Sequence, residues 1–583
     1  MLPGWGTRHV NRYRHLFVIL ALTGLFLWFS SKQPKGKPEA EGPPRLVLQI
    51  TVDQLRADLP FRHASQFGLG GFRYLMDEGL VYIDATHQHA NTETIVGHTT
   101  LATGAHPASH GMIGNVWFDR SSGQLTYNVE DPEHPLLTAG AGVDAKTEID
   151  PTQRVARSDG RSPKRILTST FGDELALFHA GRSKVFGVSV KDRGAIAMAG
   201  HAGKAFWFSK KSAAFVTSSF YYDAMPAWVD AWNAEQRPLR YAGTTWELSR
   251  DPGSYLFGDR DDRPFELDLA GFGRTFPHQY GPADDKYFTT QLTVSPAGDD
   301  LTLEFAEALI ENEQLGQDDV PDFLSISFSA TDYVGHLFGP SSLESEENIL
   351  QLDRRLARLF QFIDAKVGLD RTLIVLSADH GGPDAPGHLK EYGFDVDYVD
   401  DSKFEQTPAV VALKKRLGID KKILSAFFPP YLYLDREHIA GLGLDPVIVE
   451  RDLAHALSQA EGVALAVSGH ALTTGGVPDT PLVRRVVRNH NPRRSGDIYL
   501  VFEPGWFIND FDGLRVAVHH GSPWSYDRHV PIMVAGAGVR PTRVVRPVHT
   551  TDIAGTLSLL FGAKLPSGFD GTPLHEVFEA RRR

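Results

Sequence analysis

The chain has no cysteine among its 583 residues. That absence excludes disulfide staples, thiolate nucleophiles, cysteine-ligated zinc, iron–sulfur clusters and a lipidated-cysteine anchor, and it suits an oxidising compartment. Positive charge is also scarce. Lys and Arg number 59 against 72 Asp and Glu, a net charge of −13, which argues against a general nucleic-acid binder. There is no internal repeat and no long low-complexity tract. What is present is a hydrophobic content of 42%, enough for a sizeable core, and 24 histidines that share with carboxylates the task of holding any metal. At about 100–200 residues per domain, this length suits either several domains or one large α/β enzyme around a single sheet.

Residues 16–29 (LFVILALTGLFLWF) follow a basic stretch carrying Arg8, Arg12 and Arg14. A membrane-spanning helix takes about 20 apolar residues and a signal-peptide core about 7–15. Residues 1–31 therefore read as a signal peptide or an N-terminal membrane anchor, with no small-x-small cleavage site to decide between them. Residues 32–44 (KQPKGKPEAEGPP) read as a solvated linker. The expectation is an exported protein, periplasmic or extracellular, with a catalytic body over 45–583.

That body opens with a buried-strand pattern at 46–52 (LVLQITV) that ends on Asp53. The arrangement recurs at 323–328, which leads into Asp332, and at 372–376, which leads into Asp379-His380-Gly381-Gly382. Helical periodicity lies between, as at 348–367. Strands alternating with helices predict an α/β fold, a mostly parallel central sheet covered by helices on both faces. In such sheets ligands bind at the carboxyl ends of the strands, so the three aspartates are candidates for one site. Two stretches fit the sheet pattern poorly and are expected as cap insertions, near 202–281 and 384–497.

The chemistry sits in short segments. Asp332-x-x-x-His336 places a carboxylate and an imidazole one helical turn apart, able to face one metal, although capping aspartates and surface histidines share that spacing. Asp379-His380 at a strand end is a stronger signal, because adjacent ligands pointing to opposite sides can serve two metals. His519-His520-Gly521 adds a further imidazole source. With Asp53 these segments supply ligands for two sites of three, and paired metals can clamp an in-line phosphoryl displacement. The nucleophile candidate is Thr94, at the start of a helix in a segment that runs from Asn91 to Gly104, where a hydroxyl would meet an arriving phosphate. Its ordinary structural role would be a helix N-cap, and Thr92 is the competing nucleophile.

In that order, Asp53, Thr94-x-x-Gly97-His98, Asp332-x-x-x-His336, Asp379-His380 and His520-Gly521 resemble the alkaline phosphatase superfamily. Within it the chain is similar to the bacterial phosphate-irrepressible enzymes that use a threonine nucleophile. The resemblance implies two Zn2+ ions, one on Asp53, Asp379 and His380 and the other on Asp332, His336 and His520, with Thr94 approaching both. It also implies that Asn115, Lys191 and Arg193 contact the phosphoryl oxygens, and that Lys191 replaces a third metal. Asn115 would otherwise read as a turn residue and Lys191-Asp-Arg193 as a solvated turn. A monoester dianion offers three non-bridging oxygens to such donors, whereas a diester would crowd them. The expected activity is hydrolysis of small-molecule phosphate monoesters through a phosphothreonine intermediate. The alternatives are a phosphodiesterase or nucleotide pyrophosphatase of the same superfamily and a catalytically silent exported binding protein. Membrane anchoring through residues 16–29 stays open, and oligomeric state is silent.

Overall fold

The computed structural model describes residues 44–269, 271–511 and 514–581. The targeting segment and all but the last residue of the linker lie outside them. Among the described residues no helix is long and apolar enough to cross a membrane.

Strand β1 (Leu46–Val52) is buried at all seven positions. Its side chains alternate between faces, so Leu46, Leu48, Ile50 and Val52 enter one apolar cluster and Val47 enters another. A strand apolar on both faces needs pairing on both edges and cover above and below. The further strands of the two larger sheets are β2 (Leu80–Tyr82), β3 (Val185–Ser189), β4 (Lys204–Ser209), β5 (Ala214–Val216), β6 (Asp322–Phe328) and β7 (Thr372–Ser377). Next come β8 (Leu424–Phe428), β9 (Tyr431–Leu434), β10 (Val463–Ser468), β11 (Ile498–Phe502), β12 (Ile532–Gly536) and β13 (Thr542–Val544).

The main sheet has nine strands in the order β13-β2-β12-β7-β1-β6-β3-β4-β5. Its five middle strands, β7 to β4, are mutually parallel. Strand β12 runs antiparallel to both its neighbours, and β5 folds back on β4. The expected mostly parallel α/β sheet is therefore the one observed. Four helices position the site: α1 (Thr94–Thr103), α2 (Asp192–Ala199), α3 (Ala330–Phe338) and α4 (Leu343–Lys366). Leu352, Leu356, Leu359 and Ile363 of α4 fill the apolar cluster on one face, while Leu101 of α1 and Met198 of α2 lie in the opposite one.

Parts of the two stretches expected as insertions form sheet in the structure. Residues 204–216 belong to the main sheet as β4 and β5, not to an insert. The aromatic run conceals a two-residue alternation, with Phe206 and Phe208 entering one apolar cluster and Ala205 and Trp207 another. The chain beyond β5 packs on the first turn of α4. Glu346 accepts the N–H groups of Leu256 (2.9 Å) and Phe257 (3.0 Å), Glu347 accepts from Ser249 (3.0 Å), and Glu344 faces His278 at 3.2 Å. The second stretch builds a separate four-stranded sheet, β8-β9-β11-β10, over its own apolar cluster. Because that sheet needs β11, it runs past residue 497.

Candidate active site

Parallel strands in register end together, with Val52 beside Phe328 and Thr51 beside Ser377. Three carboxylates consequently emerge along one edge. Asp53 follows β1 and donates its N–H to the Phe328 carbonyl of β6 at 2.9 Å. Asp379 and His380 follow β7, Asp332 and His336 lie one turn apart on α3, and His520 arrives on a loop that bends at Gly521, whose φ is +108°. Gly97 lets α1 lie directly on the strand end, since a Cβ there would collide with the Asp379 carbonyl.

His380 Nε2 lies 3.4 Å from both Asp53 Oδ1 and Asp379 Oδ2. Asp332 Oδ1 lies 3.3 Å from both His336 Nε2 and His520 Nε2. Ligands held about 2.0–2.2 Å from a tetrahedral ion stand roughly 3.3–3.6 Å apart, so these spacings fit a metal. Asp53 Oδ1 and His380 Nε2 are buried without a hydrogen-bond partner, as ligand atoms would be. The three imidazoles are oriented alike. Nδ1 of His380, His336 and His520 meets the carbonyls of Gly381 (2.9 Å), Val518 (2.7 Å) and Thr92 (2.8 Å). With Nδ1 as donor, each Nε2 lone pair faces the cluster.

Ligand atoms within 4.8 Å of one another form three groups: Asp53–Asp379–His380, Asp332–His380–His520 and His336–His519–His520. The first is the expected trio. The second expected trio is spread over the other two groups and joined by the 3.3 Å contacts of Asp332. The groups abut, with the His380 and His520 rings stacked at 3.7 Å between centroids. Burial pushes the Asp379 pKa up and Asp53 adds to this, outweighing His380 and His98. Burial likewise works to raise Asp53, but Lys191 overrides it and holds that carboxyl below its ordinary value.

Lys191 Nζ lies between the groups, 2.6 Å from Asp53 Oδ2 and 2.5 Å from Asp332 Oδ2, over the Tyr333 ring. Burial would lower its pKa, but the carboxylates of Asp332 and Asp53 raise it, so the ammonium stays charged. Arg193, on α2, donates from Nη1 to Asp150 at 2.8 Å, while its buried Nε has no partner. Asn115 accepts the Ile95 N–H through Oδ1 at 3.1 Å. Thr94 is the first residue of α1 and Glu93 is the N-cap, so the capping role does not fall to Thr94. Thr94, Asn115, Arg193, Asp332, His336 and His520 share one cavity of about 300 Å³. Thr92 instead donates its hydroxyl to the Ser522 carbonyl at 3.0 Å.

Sequence reasoning passed over several residues that hold this arrangement. Gln54 adopts a left-handed φ of 63°, donates its N–H to Asp379 (3.2 Å) and its amide to Asp332 (3.0 Å), and so ties two strand ends together. Its place directly after Asp53 was the available signal. Glu93 accepts the Asn115 N–H at 2.5 Å, and burial lifts its pKa to about 7. Asp150 carried no motif. Asp192, inside the Lys191-Asp-Arg193 triplet, faces away to Arg161 (2.7 Å) and Tyr127 (2.6 Å).

A family model for type I phosphodiesterase / nucleotide pyrophosphatase matches residues 47–523. Alkaline phosphatase PafA of Elizabethkingia meningoseptica is 33% identical over 93% of this chain and 96% of its own. Alkaline phosphatase PhoV of Synechococcus elongatus is 31% identical over 94% of this chain and 95% of its own. A crystal structure of wild-type PafA superposes with a TM-score of 0.82 at 32% identity, covering 92% of this chain and 99% of that one.

Proposed function

The chain belongs to the type I phosphodiesterase / nucleotide pyrophosphatase family, within the alkaline phosphatase superfamily of enzymes, and from this we propose that it hydrolyses phosphate monoesters with Thr94 as nucleophile. The observation that carries the reading is that Asn115 and Arg193 line the cavity of Thr94, while Lys191 is held beside it on Asp53 and on Asp332, itself part of that cavity's lining. Three donors suit the three non-bridging oxygens of a monoester dianion.

Asp53, Asp379 and His380 would hold one divalent ion, and Asp332, His336 and His520 the other. Oxygen and nitrogen donors without sulfur suit zinc among other metals. Such ions, when bound, supply Lewis-acid stabilisation of the attacking and leaving oxygens. Within the chain, Thr94 Oγ1 gives up its proton to solvent and attacks phosphorus as the bond to the alcohol oxygen breaks, and the alcohol departs with a proton from solvent. Asn115, Lys191 and Arg193 hold the phosphoryl oxygens through the transition state, and the N-terminus of α1 adds its N–H dipoles. Water then cleaves the phosphothreonine, releasing phosphate and restoring Thr94.

The test is turnover of a nitrophenyl phosphate monoester beside its diester analogue on the full chain, with a chelator and with added zinc. Zinc-dependent monoester turnover that exceeds the diester, and that Thr94→Ala abolishes, is the expected result. Full activity in Thr94→Ala would overturn the nucleophile assignment. The second reading, phosphodiester cleavage, is favoured by the description of the matching family model, and a diester preference would establish it.

A further inference from the structure

The cavity that holds Thr94 has a second end with a different character. Ile149, Leu267, Leu269, Leu514 and Val516 line it, and they come from three separate segments. All five are partly exposed. The charged side chains at this end each have a partner. Asp150 is held by Arg193 and Thr152, Asp268 accepts the Gly273 N–H at 2.9 Å, and Arg515 pairs with Asp510 at 3.3 Å. A leaving group placed there meets five aliphatic side chains. The volume, about 300 Å³ for the whole cavity, limits it to a compact group.

We propose that this end is a leaving-group subsite for compact apolar alcohols, so that the enzyme selects aryl and medium-chain alkyl phosphates over sugar phosphates. The proposal rests on the phosphomonoesterase reading. Hydrophobic transfer gives it a magnitude, since each buried methylene is worth about fourfold in binding.

Ethyl and hexyl phosphate test it, because their alcohols are equally poor leaving groups and differ only in apolar length. Hexyl phosphate should show a kcat/KM at least about tenfold above ethyl phosphate, within the roughly 200-fold ceiling of four fully buried methylenes. Replacing both leucines, Leu267→Ser with Leu269→Ser, should collapse that ratio to below about threefold. Equal turnover of the two esters, or faster turnover of ethyl phosphate, would overturn the subsite. A variant that folds and keeps the wild-type ratio would do the same. Calorimetric binding of hexylphosphonate against ethylphosphonate provides the readout that needs no turnover. Loss of hydrolysis on every monoester together with tighter hexylphosphonate binding would remove the phosphatase reading and leave the subsite standing. Equal phosphonate affinities would remove the subsite whatever the activity.

Discussion

A guanidinium proposed to meet a phosphoryl group has to be aimed before the substrate arrives. Asp150 does this for Arg193. The pair is buried on both sides at 2.8 Å, and Thr152 completes the carboxylate's hydrogen bonding. Burial opposes charge on both groups, yet each holds the other ionised: Asp150 is pulled below its ordinary pKa and Arg193 is raised. Asp150→Ala should lower monoester kcat/KM by about ten- to a hundredfold, the worth of a charge-assisted hydrogen bond at the transition state. In an Arg193→Ala background the same change should cost less than about twofold, and a double-mutant cycle measures the difference. The Lys-x-Arg spacing was legible in the sequence because both residues sit just past one strand. Asp150 was not, because its tie to Arg193 is purely tertiary. The proposed ligands were legible for a related reason: all but His520, which arrives on a loop, stand at a strand end or within the helix that follows one.

Helix α4 begins with Glu344, Glu346 and Glu347, all fully buried. Acidic side chains suit a helix N-terminus, but burial of three needs donors, which the segment between Ser249 and His278 brings together with Gln66 and Gln351. Glu344 and nearby Glu266 are the exceptions, each with one oxygen left unpartnered. Burial, then the neighbouring Glu344, pushes Glu266 up to about 9, and burial raises Glu344 well above the carboxylate range. The unfolded chain releases the Glu266 proton near its ordinary 4.5 whereas the folded chain keeps it to about 9. The folded state therefore binds more protons across that window, and the stability held below it is lost as pH rises. Glu266→Gln, neutral at every pH, should melt near the wild-type temperature at pH 5 and above it at pH 9. A constant difference in melting temperature would contradict this. The docking of this segment could not be read from the sequence, since its carboxylates and donors alternate with no period. The strands β4 and β5 were obscured differently, by an aromatic density that resembled a loop-rich cap.

Across the whole molecule, the proposed metal ligands run from Asp53 to His520, so bound metal should tie distant parts of the chain together. Two ions present at a hundredfold their dissociation constants would each add about 2.7 kcal/mol, enough to raise the melting temperature of a chain this size by roughly 5 °C. Scanning calorimetry should show that loss on chelation and its return with zinc. An identical melting point in both conditions would argue against resident metal. The fold class was legible because strands buried on both faces read as continuous apolar runs; the order of those strands was not, because it is written only in long-range pairing. That order has a consequence for how the protein is made. β1 lies at the centre of the sheet, but its partners β6 and β7 begin 276 and 326 residues later, at Asp322 and Thr372. At about 5–20 residues per second, a ribosome needs roughly 15–55 s to deliver the first of them. Through that interval seven residues that are all buried in the folded protein wait for their parallel partner strands, an apolar run that a chaperone would have to cover.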